Sequence, residues 1–560
     1  MTDTIKQIKE AKKRLRPLHN RMDADVKLAN LDKYTLKSAI TGKDIEGAVS
    51  VTMPEPKIYL NSTISSILSL RKHFQTVIEG GIPSTTKRKI ESYSDDCYYD
   101  VDERLVRQKK QKLFTFWSTH ICARGWIGAR WLWVNDPEYG FYLDCLPIDA
   151  RYCYYDLDDD GFAWFANETR RSSVRIKEQY GIDVGEGDGM VLDFWNDKVN
   201  EIYVGKEGSE DFTQVDERDN PYSYPPFVLV PAPEGFLFFD KDYISREGES
   251  VFFLDRDMYK HWNQLVSIDQ TLALGSIDPA YQMEVEETTG EKAPIPPLTS
   301  ATVEVKKGSK YELIPRPDVN KAVGVAHDHI ERAIQMGSPS DIDVAVPPRV
   351  TSALWITEQE GLREKVRTPR LEAMESAYQQ STRMIIDQYI QGKFSGKLGR
   401  RGAKTLYSYT ELGDPETYDI KYKILPKSKR QDIANLTIAR VANPDFKLSI
   451  KTTMEDIVSA EDPEGEIARI EAEEAEKINP VLKLLRMAYS TSLEAQSLHG
   501  DEKEVKQLQA IELTWTMYNL IQNPQPTPTE GKEKIPARQL LPLLNEGRAG
   551  KTIPTGGEVE

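Results

Sequence analysis

The feature that most constrains this chain is a block of short aromatic and β-branched runs between residues 121 and 230, cut by Gly, Asp and Pro and flanked on both sides by helical periodicity. Residues 131–134, 141–143, 152–155, 162–165, 191–195, 201–204 and 227–230 are too short for helices and favour a pleated surface, so they read as antiparallel strands. Pro231, Pro233 and Gly235 close the block. Helices, then a run of strands, then helices again imply an α+β fold. With 560 residues and 39% apolar content the chain can bury a sizeable core, divided among about three or four domains.

Before the block, residues 1–40 set Ile5, Ile8, Leu15 and Leu18 on one side of a helix, among Lys6, Lys9, Lys12, Lys13, Arg14 and Arg16. A solvated basic arm is the plain expectation, with a DNA or capsid contact as the alternative. Ile64, Ile67, Leu68 and Leu70 suggest a helix within 51–80, and 102–117 reads as another, carrying Arg104, Arg107, Lys109, Lys110 and Lys112.

After the block, Leu254, Met258, Leu265, Ile268 and Leu272 recur along 250–276 at helical spacing, with His261 in the remaining position. Such a seam packs against a neighbouring helix, while Asp255, Asp257, Asn263, Gln264, Asp269 and Gln270 populate the rest of the surface. A partner stripe of Val323, His327, Ile330 and Ile334 lies on 320–336 and ends at Gly337, with a strand-like segment between the helices. Pro339, Pro347 and Pro348 bracket Asp341 and Asp343, so 338–350 is not helical. A long helix starts near Thr351, with Trp355, Leu362 and Val366 before Pro369 and Leu371, Met374, Tyr378, Ile385 and Tyr389 after it. Pro369 lacks a donor and clashes with the preceding turn, which predicts a kink and not a break. Residues 392–404 read as a Gly-rich basic loop, 405–409 and 418–425 as strands, and 429–442 as helical. Asp462 and Pro463 open an acidic helix over 464–477, more helix spans 480–521, and the Pro-, Gly-, Thr- and Glu-rich 523–560 reads as a disordered tail.

Composition and motifs narrow the chemistry. A net charge of −16 argues against a protein that wraps nucleic acid, because phosphate affinity comes chiefly from Lys and Arg. Cys97, Cys122, Cys145 and Cys153 have neither disulfide-framework nor zinc spacing and read as reduced thiols. No apolar run has membrane-spanning length, and residues 1–19 carry no apolar signal segment, so a cytoplasmic origin is expected. Asp156, Asp158, Asp160 and Gly161 match half of a calcium loop, but Asn167 stands where a bidentate Glu belongs and both flanks look like strands; an acidic hairpin turn is the simpler reading. Gly185, Gly187 and Gly189 follow no strand that runs into a helix and read as a turn, and His327 and His329 point to different sides of their helix. With no phosphate loop, nucleophile elbow or zinc helix, neither an enzymatic activity nor a cofactor is expected.

The order of these segments resembles the portal proteins of tailed phages. HICARGWIGARWLWV at 120–134, the apolar run 145–149 and YYDLDDDGFAWFANETRR at 154–171 resemble the family's wing, in which a hairpin precedes a helix such as 173–180. FFLDRDMYKHWNQLVSIDQTLA at 252–273 resembles the first stem helix. QMGSPSDIDVAVPPRVTSALWITEQEGLREKVRTPRLEAMESAY at 335–378 resembles the end of the second stem helix, the tunnel loop and the long kinked helix. LSIKTTMEDIVSAEDPEGEIARIEAEEAE at 448–476 is similar to the approach to the crown. The division implied is an N-terminal arm 1–50, wing 51–249, stem helices and clip 250–337, tunnel loop 338–350, long helix 351–391, wing return 392–460, crown helices 461–522 and tail 523–560.

The resemblance further implies a homo-oligomeric virion ring of about twelve subunits, a dodecamer assembled in the host cytoplasm at one capsid vertex. Double-stranded viral DNA would pass weakly and without sequence preference by Asp341, Asp343 and Arg349 of the tunnel loop. The terminase large subunit, then a head-completion or tail adaptor, would dock at the stem end near 278–310, with the major capsid protein and a scaffolding protein as further partners. Rival readings are a metal-dependent nucleic-acid-processing enzyme built on Asp156, Asp158 and Asp160, and another ring-forming virion protein such as an adaptor.

Overall fold

The computed structural model describes residues 3–38, 40–45, 47–77, 84–137, 140–209, 211–235, 243–277, 281–284, 310–313, 320–337, 353–402, 404–425, 463–497 and 501–522. The chain divides into a unit Met1–Gln431 and a unit Asp432–Glu560. Helices and antiparallel sheets are mixed in the first unit and the described part of the second is helical, in agreement with an α+β fold.

The first unit opens with helices α1 (Asp3–Arg14) and α2 (Arg16–Asn30). They are not a solvated arm. Ile5, Ile8, Ala11, Leu15, Leu18 and Met22 are buried in one cluster with Tyr154, Trp164, Leu192, Phe194 and Tyr203. The basic side chains reach over the rim, Lys12 to Glu168 at 3.0 Å and Arg14 to Asp156 at 2.8 Å. The apolar side that the sequence displays is wide enough to demand a partner, and the sheet supplies it.

Helix α3 (Glu55–Leu68) is followed by strand β1 (Arg71–Val77), then by α4 (Ser84–Arg107) and α5 (Leu113–Arg124). The single helix expected over 102–117 is therefore broken. Lys109 takes a left-handed φ of 62° and the Lys110 N–H donates to the Leu105 carbonyl, which ends α4. Gly125 caps α5 at φ 74°, and a Cβ there would meet the Gly248 carbonyl oxygen at 1.9 Å. Only glycine lets the two backbones approach so closely.

The strands expected from the aromatic runs are present: β2 (Trp126–Asp136), β3 (Gly140–Ile148), β4 (Cys153–Asp158), β5 (Gly161–Ser172), β6 (Asp188–Asn196), β7 (Val199–Lys206) and β9 (Phe227–Pro231). A further strand, β8 (Phe212–Asp219), is polar and escaped the sequence pattern. They form a three-stranded sheet of order β3-β2-β9 and a five-stranded meander β4-β5-β6-β7-β8. The sheets share a small core in which Phe165 stacks on Phe227 at 4.2 Å. Helix α6 (Ser173–Tyr180) follows β5 directly, as expected, and Ile176 seals the meander against Val191 and Val204.

Next come α7 (Arg256–Ile277), the hairpin β10 (Tyr281–Glu284) and β11 (Lys310–Leu313), α8 (Asn320–Gly337) and α9 (Ala353–Gln391). Helix α9 passes through Pro369 unbroken. Beyond Pro369 it is the spine of the main core. Met374, Tyr378, Ile385 and Tyr389 are buried, as the spacing predicts, against Tyr93, Trp117, Trp131 and Trp133. The segment expected as a basic loop contains β12 (Ser395–Leu398), paired with β13 (Thr405–Ser408), and β14 (Asp419–Leu425) pairs with β1. The second unit holds α10 (Pro463–Ile478), opening at the expected Pro463, then α11 (Pro480–Ser497) and α12 (Asp501–Gln522) where one stretch of helix was expected.

All four cysteines are buried and unpaired. Asp341, Asp343 and Arg349 of the expected tunnel loop, the helix expected at 429–442 and the tail 523–560 lie outside the described residues.

Arg370, 2% exposed, anchors α9. Its guanidinium binds both carboxylate oxygens of Glu234, at 2.9 and 2.5 Å, and also the Val366 carbonyl. Truncating one partner strands the other charge under the core, so Arg370→Met is expected to destabilise the first unit by about 3 kcal/mol. Arg370→Met with Glu234→Leu is expected to recover most of that loss, read as the shift of the urea midpoint.

Candidate subunit-contact surfaces

Helix α7 presents distinct faces at about 100° per residue. Tyr259, Trp262 and Val266 turn inward to the main core, and the Trp262 indole lies against the His327 ring of α8 with centroids 4.5 Å apart. A second face is covered by residues 49–53 of the same chain. There the backbone N–H groups of Val49, Val51 and Met53 donate to Thr271 Oγ1, Ser267 Oγ and Asn263 Oδ1 at 3.0, 2.9 and 2.9 Å. Alternate residues of an extended strap thus meet successive turns of a helix. The hydroxyls of Ser267 and Thr271 donate back to Asn263 and Ser267 carbonyls, so each serves as both donor and acceptor.

The third face carries the stripe read from the sequence. Met258, Leu265, Ile268 and Leu272 are half-buried and His261 is exposed. Leu254 does not belong to the helix. Helix α7 begins at Arg256, not near 250, and Leu254 sits in the preceding turn, 68% exposed. Residues 251–255 turn because Phe252 and Val251 are drawn into the core. On α8, Ile334 is buried and Ile330 packs on the core as expected; the Val323 side chain lies outside the described residues.

The foot of α7 is held by a compact charge cluster that the sequence does not announce. Arg256 binds Asp25 at 2.5 and 3.0 Å and Glu249 at 2.7 Å, while Arg21 lies 3.3 Å from Glu249 and donates to the carbonyls of Ser245, Glu247 and Gly248. Asp25 and Glu249 are buried. Together these bonds tie α2, the 243–249 turn and α7 into one body. Burial raises the Glu234 carboxyl against its Arg370 partner, with the nearby Glu249 charge adding to the effect.

A second apolar stripe lies on α12. On α12 the half-buried side consists of Lys506, Ala510, Leu513, Met517 and Leu520. On nearly the opposite side Leu508, Ile511, Trp515 and Tyr518 stand 66%, 59%, 66% and 57% exposed. Their spacing of three, four and three residues was visible; what hid it was the apolar content on both sides of the helix.

Other candidates resolve into structure. Asp156 and Asp158 belong to the β4–β5 hairpin, where Asp158 pairs with Gly161, Asp156 holds Arg14, and Asp158 Oδ1 accepts the Asp160 N–H. This is turn chemistry, as expected. Gly185 and Gly187 adopt left-handed φ in the turn before β6. His327, Asp328 and Glu331 have donor atoms within 4.8 Å of one another, and His327 Nδ1 is 3.9 Å from Glu331, an ordinary pair one helical turn apart. Among the described residues no helix is long and apolar enough to cross a membrane.

No protein-family model matches the chain, and no curated protein does. Among solved structures, it is similar to a chain of the neck of a native GTA particle computed with C12 symmetry, with TM-score 0.37 and 11% identity over 72% of this chain and 89% of that one. It is also similar to a chain of the virion of a native gene transfer agent particle, with TM-score 0.35 and 10% identity over 71% and 88%.

Asp255, immediately before α7, is buried with Oδ2 lacking a hydrogen-bond partner among the described residues, and burial pushes its carboxyl up to about 6. A carboxyl whose folded value is raised holds its proton more tightly when folded, so stability falls as pH rises from about 4 through about 6. Asp255→Asn is therefore expected to raise the melting temperature at pH 7.5, with a gain that shrinks towards pH 4. A gain independent of pH would contradict this assignment.

Proposed function

We propose that this chain is a subunit of a closed ring that conducts double-stranded DNA through one vertex of a viral capsid, a portal protein in kind. The observation that carries the proposal is the third face of α7. Its core and strap faces are covered within the chain and Met258 packs at the border of the core, yet beyond it Leu265 and Ile268 continue an apolar stripe that is only half-buried. A ring of like subunits uses heterologous contacts that close on themselves, and a stripe along a long helix supplies one side of such a contact. The exposed stripe of α12 adds a second apolar surface of the kind that marks association.

Charge suits the role. Each copy contributes −16, so an assembled ring repels phosphate over roughly a Debye length, about 8 Å, and DNA slides without being held. In this reading α7 and α8 form the stem, β10 and β11 belong to the clip where the terminase large subunit and later an adaptor dock, and the two sheets form the wing facing the capsid protein. Asp341, Asp343 and Arg349 would face the DNA, and no step requires turnover or a cofactor.

Light scattering and negative-stain images of the purified protein test the reading. The wild-type chain is expected to form a ring near twelve subunits with a central hole, whereas Leu265→Glu with Ile268→Glu is expected to give a folded monomer by circular dichroism. A stable wild-type monomer, or an assembly with no opening for a duplex, overturns it.

A further inference from the structure

The turn that ends α4 faces the end of β5 and the start of α6 across a cleft of about 1000 Å³. Its floor is apolar, made by Phe116, Leu146 and Pro147. Every charged residue on its walls is a cation: Lys109 and Lys110 on one side, Arg170, Arg171 and Arg175 on the other. This runs against the composition of a chain with 89 acidic and 73 basic residues.

The cations differ in what they are free to do. Arg170 is engaged by Asp188 at 2.7 Å and Glu207 at 2.9 Å. Arg171 is held by hydrogen bonds to Gln179, at 2.6 Å, and to the Tyr180 hydroxyl, at 3.4 Å, through one of its two terminal nitrogens. Lys109, Lys110 and Arg175 are exposed, and no ion pair or hydrogen bond involves their side chains among the described residues. Lys109 holds its left-handed φ of 62° with no glycine in its place, so the turn keeps its cationic rim at some backbone cost. His120, stacked on Phe116 at 4.0 Å, has its imidazole pKa lowered by burial, which disfavours its charged form.

We infer that this cleft docks an acidic amphipathic peptide segment of a partner polypeptide, its carboxylates on Lys109, Lys110, Arg171 and Arg175 and its apolar side chains on Phe116, Leu146 and Pro147. Charge complementarity selects an acidic occupant. The floor decides between a peptide and a duplex, because a duplex turns its phosphates outward and keeps its bases stacked inside, whereas a peptide that intersperses carboxylates with Leu or Phe covers both surfaces. The inference stands apart from the ring, since it needs only the folded first unit.

Fluorescence anisotropy of the full chain tests it, using a fluorescein-labelled 16-residue peptide of repeated Glu-Glu-Leu. The peptide is expected to bind, with affinity falling about tenfold in Lys110→Glu with Arg175→Glu, two exposed changes that leave the melting curve in place. A poly-Glu peptide of equal length is expected to bind about tenfold more weakly, because it leaves the floor uncovered. Absence of binding by the wild type, equal affinity in the double variant, or equal affinity of poly-Glu overturns the inference. So does capture of a short DNA duplex, lost in the double variant, when the Glu-Glu-Leu peptide does not bind.

Discussion

The fold depends on one buried helix that makes polar as well as apolar contact with the strand beside it. Tyr378, Ile385 and Tyr389 of α9 fill the main core, but fit alone does not set the position of a helix along a strand. Two hydrogen bonds do: the Trp133 indole donates to the Ile385 carbonyl and the Gln388 amide donates to the Trp131 carbonyl, each at 3.0 Å. Both are buried, so sliding α9 against β2 would leave polar groups without partners, at about 1–3 kcal/mol each. The surrounding rings, Trp133 stacked on Phe141 at 4.9 Å and Tyr378 on Tyr422 at 4.1 Å, then pack around a register already chosen.

From that anchor a chain of contacts runs to α7, because the Glu249 N–H donates to the Glu234 carbonyl at 3.4 Å. Arg370 on α9 holds Glu234; the Arg256, Asp25, Glu249 and Arg21 cluster holds the foot of α7 and the second N-terminal helix. Such networks add little net stability over apolar packing, yet they fix geometry, since each guanidinium accepts few arrangements of its carboxylates. The strap of 49–53 completes the mounting by occupying one flank of α7 with backbone donors.

The open surfaces share a chemical logic. On α7 apolar side chains recur along a helix whose core and strap sides are packed, on α12 they recur opposite its half-buried side, and in the cleft beside α6 cations gather over apolar side chains.

The sequence by itself determined the elements whose signal is local. The aromatic runs became strands because their residue types favour a pleat, residues 153–158 and 161–167 became a hairpin because Asp and Gly fit its turn, and Pro463 opened a helix because proline suits a first turn. Periodicity also told that α1, α2 and α7 carry apolar stripes. It did not tell what covers them, because a stripe is the same whether a sheet, a strap or another subunit lies against it. Only the tertiary structure decided that Ile5 and Leu18 meet the meander, that polar β8 completes its edge, that Leu254 falls in a turn, and that Arg21, Asp25, Glu249 and Arg256 converge from distant parts of the chain. Those outcomes depend on long-range burial and charge pairing, which no window along the chain contains.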